Sequence, residues 1–436
     1  MKENNKSDFT FIDLFSGIGG FRLALEKIGG KCLGFSEIDN TAIETYKLNW
    51  PKDGKNHDLG SITELNKLPK HDILVGGVPC QSWSIAGKNK GIEDKRGALW
   101  NDAIRLIHIN KPKAFVFENV KGLADPRHND ALSYLINKFE EEGYKIFYKV
   151  LNSFDFGVPQ NRDRIFIVGI KSELNANDFH WPKYIDKTVY LYEIIEGIKK
   201  PKETKDKPKI ERDLFGERVG TGFNKLTPIG EKNRFFILTD IRNGPTSIHS
   251  WDFKDITARE IIICEIILKN RRKKIYGEWD GNPMKFEHIK DLINDLEESE
   301  LKTLVDKKVL RQYEENDKYE FANRRLSGGI DGVYRIFMPD SVFFSTLVAS
   351  GTNDYIATET ISDNDPEKYK KKFIKNILVK KRYKKPSTND LKRLQGFQDS
   401  FKCIDNDQKN IKLFGNSVSV PVIEKLGVSV LKVIKE

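Results

Sequence analysis

A largely apolar run, Phe9 to Leu14, leads straight into Phe15-Ser-Gly-Ile-Gly-Gly20, and helical spacing resumes from Phe21 to Ile28. Strand, glycine turn and helix in that order place the start of the chain in an α/β layer. Glycines at such a turn let backbone approach a ligand and leave free N–H groups at a helix start. A bare structural turn would use them equally well. A second strand, Lys31 to Phe35, ends in Glu37 and Asp39. Glu37 stands 20 positions after Gly17, near the spacing at which an acid on the second strand tip accepts from ribose hydroxyls. The turn lacks the full Gly-x-Gly-x-x-Gly pattern, which favours a nucleoside-bearing cofactor without a pyrophosphate.

The stretch Asp72 to Gly87 carries a short apolar run, Ile73 to Val75, broken by Gly76-Gly77 and Pro79. It reads as a buried strand ending in a polar loop, with Cys80 at the break beside Gln81, Ser82 and Ser84. A thiol at a strand mouth is placed as a nucleophile would be in an α/β fold. A buried, inert cysteine is the alternative for that residue taken alone. Lys88 to Trp100, which includes Arg96, reads as a polar loop able to close over substrate.

A helix from Leu99 to Ile109 leads to a strand, Ala114 to Phe117, that ends in Glu118-Asn119-Val120. An acid at the carboxyl end of a parallel strand points into the same crevice as Cys80, unless it is a solvated strand end. A helix at Ala131 to Glu142 precedes strands Lys145 to Leu151 and Arg164 to Ile170, whose short connection predicts an antiparallel pair. Within that connection Gln160, Arg162 and Arg164 alternate, so an extended segment puts all three on one side. Two arginines on one face suit phosphate or base-oxygen contacts, or surface salt bridges.

Composition narrows the class. The 436 residues leave room for two or three domains, and the net charge of +10 points weakly to a polyanionic partner. No run of about 18 apolar residues occurs and the start is polar, so neither a membrane span nor a secretory signal is expected. The four cysteines, Cys32, Cys80, Cys264 and Cys403, have no metal-ligand spacing or paired framework. That predicts a reducing cytoplasm and no metal site.

Seven motifs in order carry a resemblance: Asp13-Leu-Phe-Ser-Gly-Ile-Gly-Gly20, Glu37-Ile-Asp39, Gly76-Gly-Val-Pro-Cys-Gln-Ser-Trp-Ser84, Glu118-Asn-Val120, Gln160-Asn-Arg-Asp-Arg164, Arg393-Leu-Gln-Gly-Phe397 and Gly415-Asn-Ser-Val418. With them the chain resembles a DNA (cytosine-5)-methyltransferase of the bacterial restriction-modification type. The resemblance implies a Rossmann-like α/β sheet that uses S-adenosylmethionine, interrupted by a mixed α+β target recognition domain. It implies double-stranded DNA as substrate and protection of host DNA from a cognate restriction endonuclease, without required physical contact between the two enzymes. A monomer in the cytoplasm is expected. An RNA-methylating relative or a catalytically silent DNA-binding regulator are the competing readings.

The resemblance assigns Phe15, Gly17, Ile18, Gly19, Gly20, Glu37, Ile38, Pro79, Asn416 and Ser417 to the cofactor. Many members place an acid before Ile-Thr to meet the adenine amine; this chain has Ser61 there, and its role stays open. C5 of cytosine is a poor nucleophile until a thiolate adds at C6, and Cys80 supplies that thiolate. Glu118 would donate a proton toward N3 and must carry it when the base is bound, which desolvation favours. Arg164 would hold the base O2, with Arg162 and Gln160 shaping the pocket. The base must be turned out of the duplex, and Gln81, Ser84, Lys88 and Arg96 are placed to fill the gap and hold phosphates.

Residues 1–190 are thus expected to form the first part of the catalytic domain, 191–385 the recognition domain and 386–436 the return to the catalytic domain. Lys199 to Arg212 reads as a linker. Thr257-Ala-Arg-Glu260 reads as a capping box opening a helix to Leu268, followed by helices at Phe286–Leu296 and Ser299–Asp306 and a hairpin over Val309–Ala322. That order suggests a winged-helix-like segment at 257–323, with the Ser299–Asp306 helix facing DNA. Arg271, Arg272, Arg324 and Arg325 are candidates for base-edge contacts. Lys368 to Lys385 holds ten basic residues and no acid, and reads as phosphate-facing or as solvated surface.

Overall fold

The computed structural model describes residues 8–54, 57–79, 99–185, 188–201, 234–237, 248–279, 281–313, 317–322 and 334–435. The chain divides into two compact units. One comprises Met1–Glu196, Val342–Thr352 and Ser387–Glu436, the other Gly197–Ser341 and Asn353–Pro386.

The first unit opens with β1 (Phe9–Leu14), α1 (Gly20–Lys27), β2 (Gly30–Ser36), α2 (Asn40–Asn49), β3 (Ile73–Gly77), α3 (Leu99–Asn110), β4 (Ala114–Val120), α4 (Asn129–Glu141), β5 (Tyr144–Asn152) and β6 (Asp163–Lys171). These six strands form one sheet in the order β2-β1-β3-β4-β6-β5. The first four are parallel, and β6 runs antiparallel to both β4 and β5. Strand residues Ile12, Leu14, Leu74, Phe115, Phe117, Ile165 and Ile167 pack with Trp100, Leu106, Leu135 and Phe139 from α3 and α4 in one buried cluster. Burial on both faces is why β1 and β4 are apolar almost throughout. At Gly169 of β6 an added Cβ would lie 2.1 Å from the Phe115 ring, so this strand fits beside the aromatic core only with glycine there.

The second unit contains β7 (Arg234–Ile237), α5 (Ala258–Asn270), β8 (Met284–Lys285), α6 (Phe286–Lys290), α7 (Glu298–Asp306), β9 (Leu310–Tyr313), β10 (Lys318–Phe321), β11 (Tyr334–Phe337), β12 (Tyr355–Ala357), α8 (Pro366–Phe373) and β13 (Tyr383–Lys384). Two small sheets result, β8-β10-β9 and β13-β12-β11-β7. The Thr257 hydroxyl accepts from Glu260 N at 3.2 Å, and Glu260 Oε2 accepts from Thr257 N at 2.6 Å. That reciprocal cap starts α5 one residue inside the expected box. The helix expected over Phe286–Leu296 is shorter. After Lys290, Leu292 and Leu296 donate to Ile289 and Ile293 in tighter turns.

The first unit is completed by α9 (Thr388–Leu394), α10 (Asp407–Asn416) and α11 (Val420–Ile434). The tail returns to the start of the chain: at Gly427 of α11 an added Cβ would lie 2.8 Å from both Leu25 and Ile28. A second return lies inside the span expected to belong wholly to the recognition domain. Phe344 N donates to Pro159 O at 2.7 Å and Asn161 N donates to Phe344 O at 3.0 Å. The Phe343 ring stacks on Phe154 with centroids 4.0 Å apart.

Candidate active site

The glycine turn is left-handed at three positions: Phe15 has φ 50°, Gly17 φ 53° and Gly19 φ 87°. For Phe15 that conformation is costly, and such strain collects at functional turns. Gly19 starts α1 without any side-chain cap, which leaves helix N–H groups for another acceptor. A Cβ on Gly17 would meet nothing within 4 Å, whereas one on Gly19 would strike Trp50 at 2.5 Å. Space therefore opens on one side of the turn. Glu37, just beyond the tip of β2, accepts from Gly17 N at 2.8 Å through Oε2 and from Ile38 N and Asp39 N through Oε1. Ile38 is 75% exposed, and Ile18 is buried.

Beneath the turn Asp13 is fully buried, and neither carboxylate oxygen has a hydrogen-bond partner among the described residues. Burial holds its pKa well above the usual carboxylate range, opposed by the charge of Arg22. Open space at Gly17 and an acid at the β2 tip make a cradle that fits a cationic nucleoside donor such as S-adenosylmethionine. Ser61, left open above, caps a short 3₁₀ turn through Thr63 N at 3.4 Å.

Glu118 sits in register opposite Gly77 in the parallel β3–β4 ladder. It is 8% exposed, and its Oε1 lies 2.9 Å from Arg164 Nε. A Cβ on Gly77 would approach Glu118 Oε2 at 3.7 Å and Val418 at 4.0 Å. The β3 tip, the Glu118 carboxylate and the C-terminal Gly415–Val418 motif thus converge. Asn119, quoted in its motif without a role, donates to Val78 O at 3.2 Å. It fixes the backbone where the chain leaves β3 for Pro79. Cys80, Gln81, Ser84, Lys88 and Arg96 lie outside the described residues, as do Arg324 and Arg325.

Strand β6 begins at Asp163, and just before it Gln160 forms an isolated parallel bridge with Phe344. Gln160 and Arg162 are buried, at 0% and 2% exposure. Gln160 Nε2 donates to Leu394 O at 2.8 Å and its Oε1 accepts from Leu347 N at 3.2 Å. The Arg162 guanidinium donates to Leu347 O at 2.9 Å, Gly415 O at 3.3 Å and Ser417 O at 2.7 Å. Burial, with the Arg164 charge adding, pushes its pKa down to about 9. These two residues bind the strap Val342–Thr352 and the Gly415–Ser417 loop to the sheet, and Arg162 lies near enough to Arg164 and Glu118 to feel both charges. Arg271 is likewise 1% exposed and lies over the Phe321 ring at 5.1 Å. Packed there, it cannot present its guanidinium to a base edge, whereas Arg272 is exposed.

The C-terminal motif closes on the glycine turn. A Cβ on Gly20 would lie 2.7 Å from Val418 and 3.0 Å from Ser417 Oγ. Ser417 is buried while Asn416 is exposed. Among the other thiols, burial pushes Cys32 up to about 12 and raises Cys264 further, which makes both inert as nucleophiles.

The family model for C-5 cytosine-specific DNA methylase matches residues 9–432. The chain is 55% identical over 419 residues to the Type II methyltransferase M.HgiBI of Herpetosiphon aurantiacus, covering 96% of each chain. It is 35% identical to the Type II methyltransferase M.BanI of Aneurinibacillus aneurinilyticus, covering 95% of this chain and 94% of that one. In fold it is similar to the Entamoeba histolytica methyltransferase EhMeth, with a TM-score of 0.52, 16% identity and coverage of 97% and 98%.

Proposed function

The chain belongs to the C-5 cytosine-specific DNA methylase family, and from that premise we propose that Cys80 and Glu118 act together on one flipped cytosine of duplex DNA. The observation that carries this reading is the placement of Glu118, paired with Arg164, opposite Gly77 at the end of the strand that leads to Cys80. The family implies S-adenosylmethionine as donor, and when bound it supplies an electrophilic methyl group on a sulfonium. Phe15, Gly17, Ile18 and Gly19 would wall it, Glu37 would hold its ribose, and Gly20, Ile38, Pro79, Asn416 and Ser417 would complete the site.

The chemistry then falls to the chain's own side chains. The Cys80 thiolate adds to C6, and the ring's electron density moves toward N3 and O2. Glu118 gives its proton to N3, so negative charge does not accumulate on the ring. The same Arg164 that pairs with Glu118 orients that carboxyl and holds O2. C5, now electron-rich, accepts the methyl group and loses its proton to water, N3 returns its proton to Glu118, and the thiolate leaves. Asn119 positions the Cys80 loop through Val78, and Gln160 and Arg162 position the C-terminal motif.

The second unit supplies target recognition, with the Lys368–Lys385 stretch against phosphates. There Lys368, Lys371, Lys375, Lys380, Lys381 and Lys385 are exposed. The reading extends to a cytoplasmic monomer whose mark protects host DNA from a cognate endonuclease, in keeping with relatives named Type II methyltransferases. No helix among the described residues is long and apolar enough to cross a membrane.

Incubation with labelled donor and duplex DNA, tRNA or neither tests the proposal. Label is expected in DNA alone and absent with Cys80→Ala. Transfer to tRNA favours an RNA-methylating enzyme, and no transfer favours a silent regulator. Bisulfite sequencing of DNA from a host expressing the chain then gives the target site.

A further inference from the structure

Within the second unit, residues 258–321 run α5, β8, α6, α7, β9, β10, with the strands ordered β8-β10-β9. That succession of elements and that strand order are those of a winged helix. The segment has its own buried cluster, including Ile263, Ile267, Met284, Leu301, Leu304 and Tyr319. The usual docking logic would lay the third helix, α7, in the major groove. Charge argues against that here. Asp291–Asp306 carries six acids and one lysine, and the sequence over 314–317 reads Glu-Glu-Asn-Asp. Over 257–322 there are 13 Lys and Arg against 15 Asp and Glu, inside a chain of net charge +10. A stretch with a net acidic charge repels phosphates wherever it approaches them.

Several of the segment's cations are held by its own acids. Lys307 pairs with Glu260 at 2.8 Å, Arg259 with Glu300 at 2.9 Å and Arg311 with Glu320 at 2.9 Å. The loop after α5 is where three of the segment's cations adjoin. Arg272, Lys273 and Lys274 stand in a row and are exposed, and Lys273 and Lys274 have no acid partner among the described residues. Directly beside them Ile275 is 76% and Trp279 60% exposed. This loop is built rather than loose. The buried Asn282 amide donates to the carbonyls of Arg271 at 3.0 Å, Gly277 at 3.1 Å and Trp279 at 2.9 Å, and its Oδ1 accepts from Trp279 N at 2.9 Å. A fixed loop that presents adjacent cations and two large apolar side chains matches DNA, where phosphates meet the cations and apolar wedges meet base or sugar edges.

We propose that this segment meets DNA through the Arg272–Trp279 loop and not through α7, with Lys273 and Lys274 on phosphates and Ile275 and Trp279 against the groove. The inference rests on the reading that the second unit binds the duplex. The test uses the full chain and a pool of random-sequence duplexes, with affinity measured across a salt series. Lys273→Ala/Lys274→Ala is expected to weaken binding about tenfold and to flatten the salt slope by about two. Ile275→Ala/Trp279→Ala is expected to weaken it about tenfold with the slope unchanged, because no charge is removed. Lys302→Glu/Thr303→Glu on the exposed face of α7 is expected to bind as wild type.

Loop variants that bind normally, or an α7 variant that loses as much as they do, would overturn the proposal. A third variant separates this from failure of the underlying reading: Lys368→Ala/Lys371→Ala/Lys375→Ala. If it weakens binding while the loop variants do not, only the loop assignment falls. If neither set matters, DNA binding by the second unit falls with it.

Discussion

Glu118 and Gly77 are register partners across two parallel strands. The smallest residue on one strand leaves room for the acid on the other, and a Cβ at Gly77 would come within 3.7 Å of the carboxylate. The strand carrying Gly77 continues through Val78, tied down by Asn119 at 3.2 Å, toward Cys80 in the sequence, the proposed nucleophile. The pair therefore ties the acid to the end of β3 through backbone rather than through flexible side chains.

Glu118→Gln keeps shape and removes the proton donor. Its kcat is expected to fall by roughly 10²- to 10⁴-fold, with donor KM nearly unchanged. Asn119→Ala frees the Val78 carbonyl without touching the base, so it should lower kcat while thermal stability falls only by about 1 kcal/mol. Steady-state kinetics of both variants at saturating DNA check this.

Gly17→Ala separates fold from cofactor binding. Nothing lies within 4 Å of the new methyl group, so the cost is the left-handed backbone at φ 53°, about 1 kcal/mol. The methyl group projects into the space proposed for the donor. Isothermal titration should show donor affinity at least about tenfold weaker, an effect of about 1.4 kcal/mol, while the melting curve barely moves.

Arg162→Met tests the clamp. Three carbonyls from Leu347, Gly415 and Ser417 lose their donor, at an expected cost of about 2–4 kcal/mol. Lysine should not restore it, since one ammonium cannot reproduce the planar fork. Calorimetry of wild type, Arg162→Met and Arg162→Lys reads the difference.

The second unit carries a titration signature. His249 is buried and stacked on Trp251 with centroids 4.1 Å apart. Burial, and then the charge of Lys370, pushes its pKa down to about 3. The folded state thus resists protonation that the unfolded chain accepts. Its contribution is fully present above the unfolded value of 6.5 and is lost as pH falls toward about 3, by at most about 1.4 kcal/mol per pH unit. Denaturant unfolding between neutral and acid pH should show that slope, and His249→Phe should remove it.

Local order was legible in the sequence where it is set by neighbours along the chain. The β1–glycine turn–α1 unit, the capping box at Thr257 and the antiparallel β5–β6 pair follow from spacing and turn chemistry. What escaped was set by distant backbone. Gln160 and Arg162 look like a reading face until Leu347, Leu394 and Gly415, 185 to 253 residues away, claim their donors. The strap Val342–Thr352 escaped for the same reason, because nothing local says that Phe344 will pair with Pro159 and Asn161. Arg271 was misplaced because a basic run does not reveal which of its members packs on Phe321.

In the proposed chemistry a thiolate from Cys80 adds to a cytosine that Glu118 protonates. Duplex DNA carrying 5-fluorocytosine at the methylated position tests it most directly, since fluorine blocks loss of the C5 substituent and traps the adduct. With donor present, mass spectrometry should find a denaturation-stable link between that base and the peptide containing Cys80, formed far more slowly by Glu118→Gln and not at all by Cys80→Ala. An adduct at any other residue, or methylation of normal DNA with no adduct at all, would contradict the account.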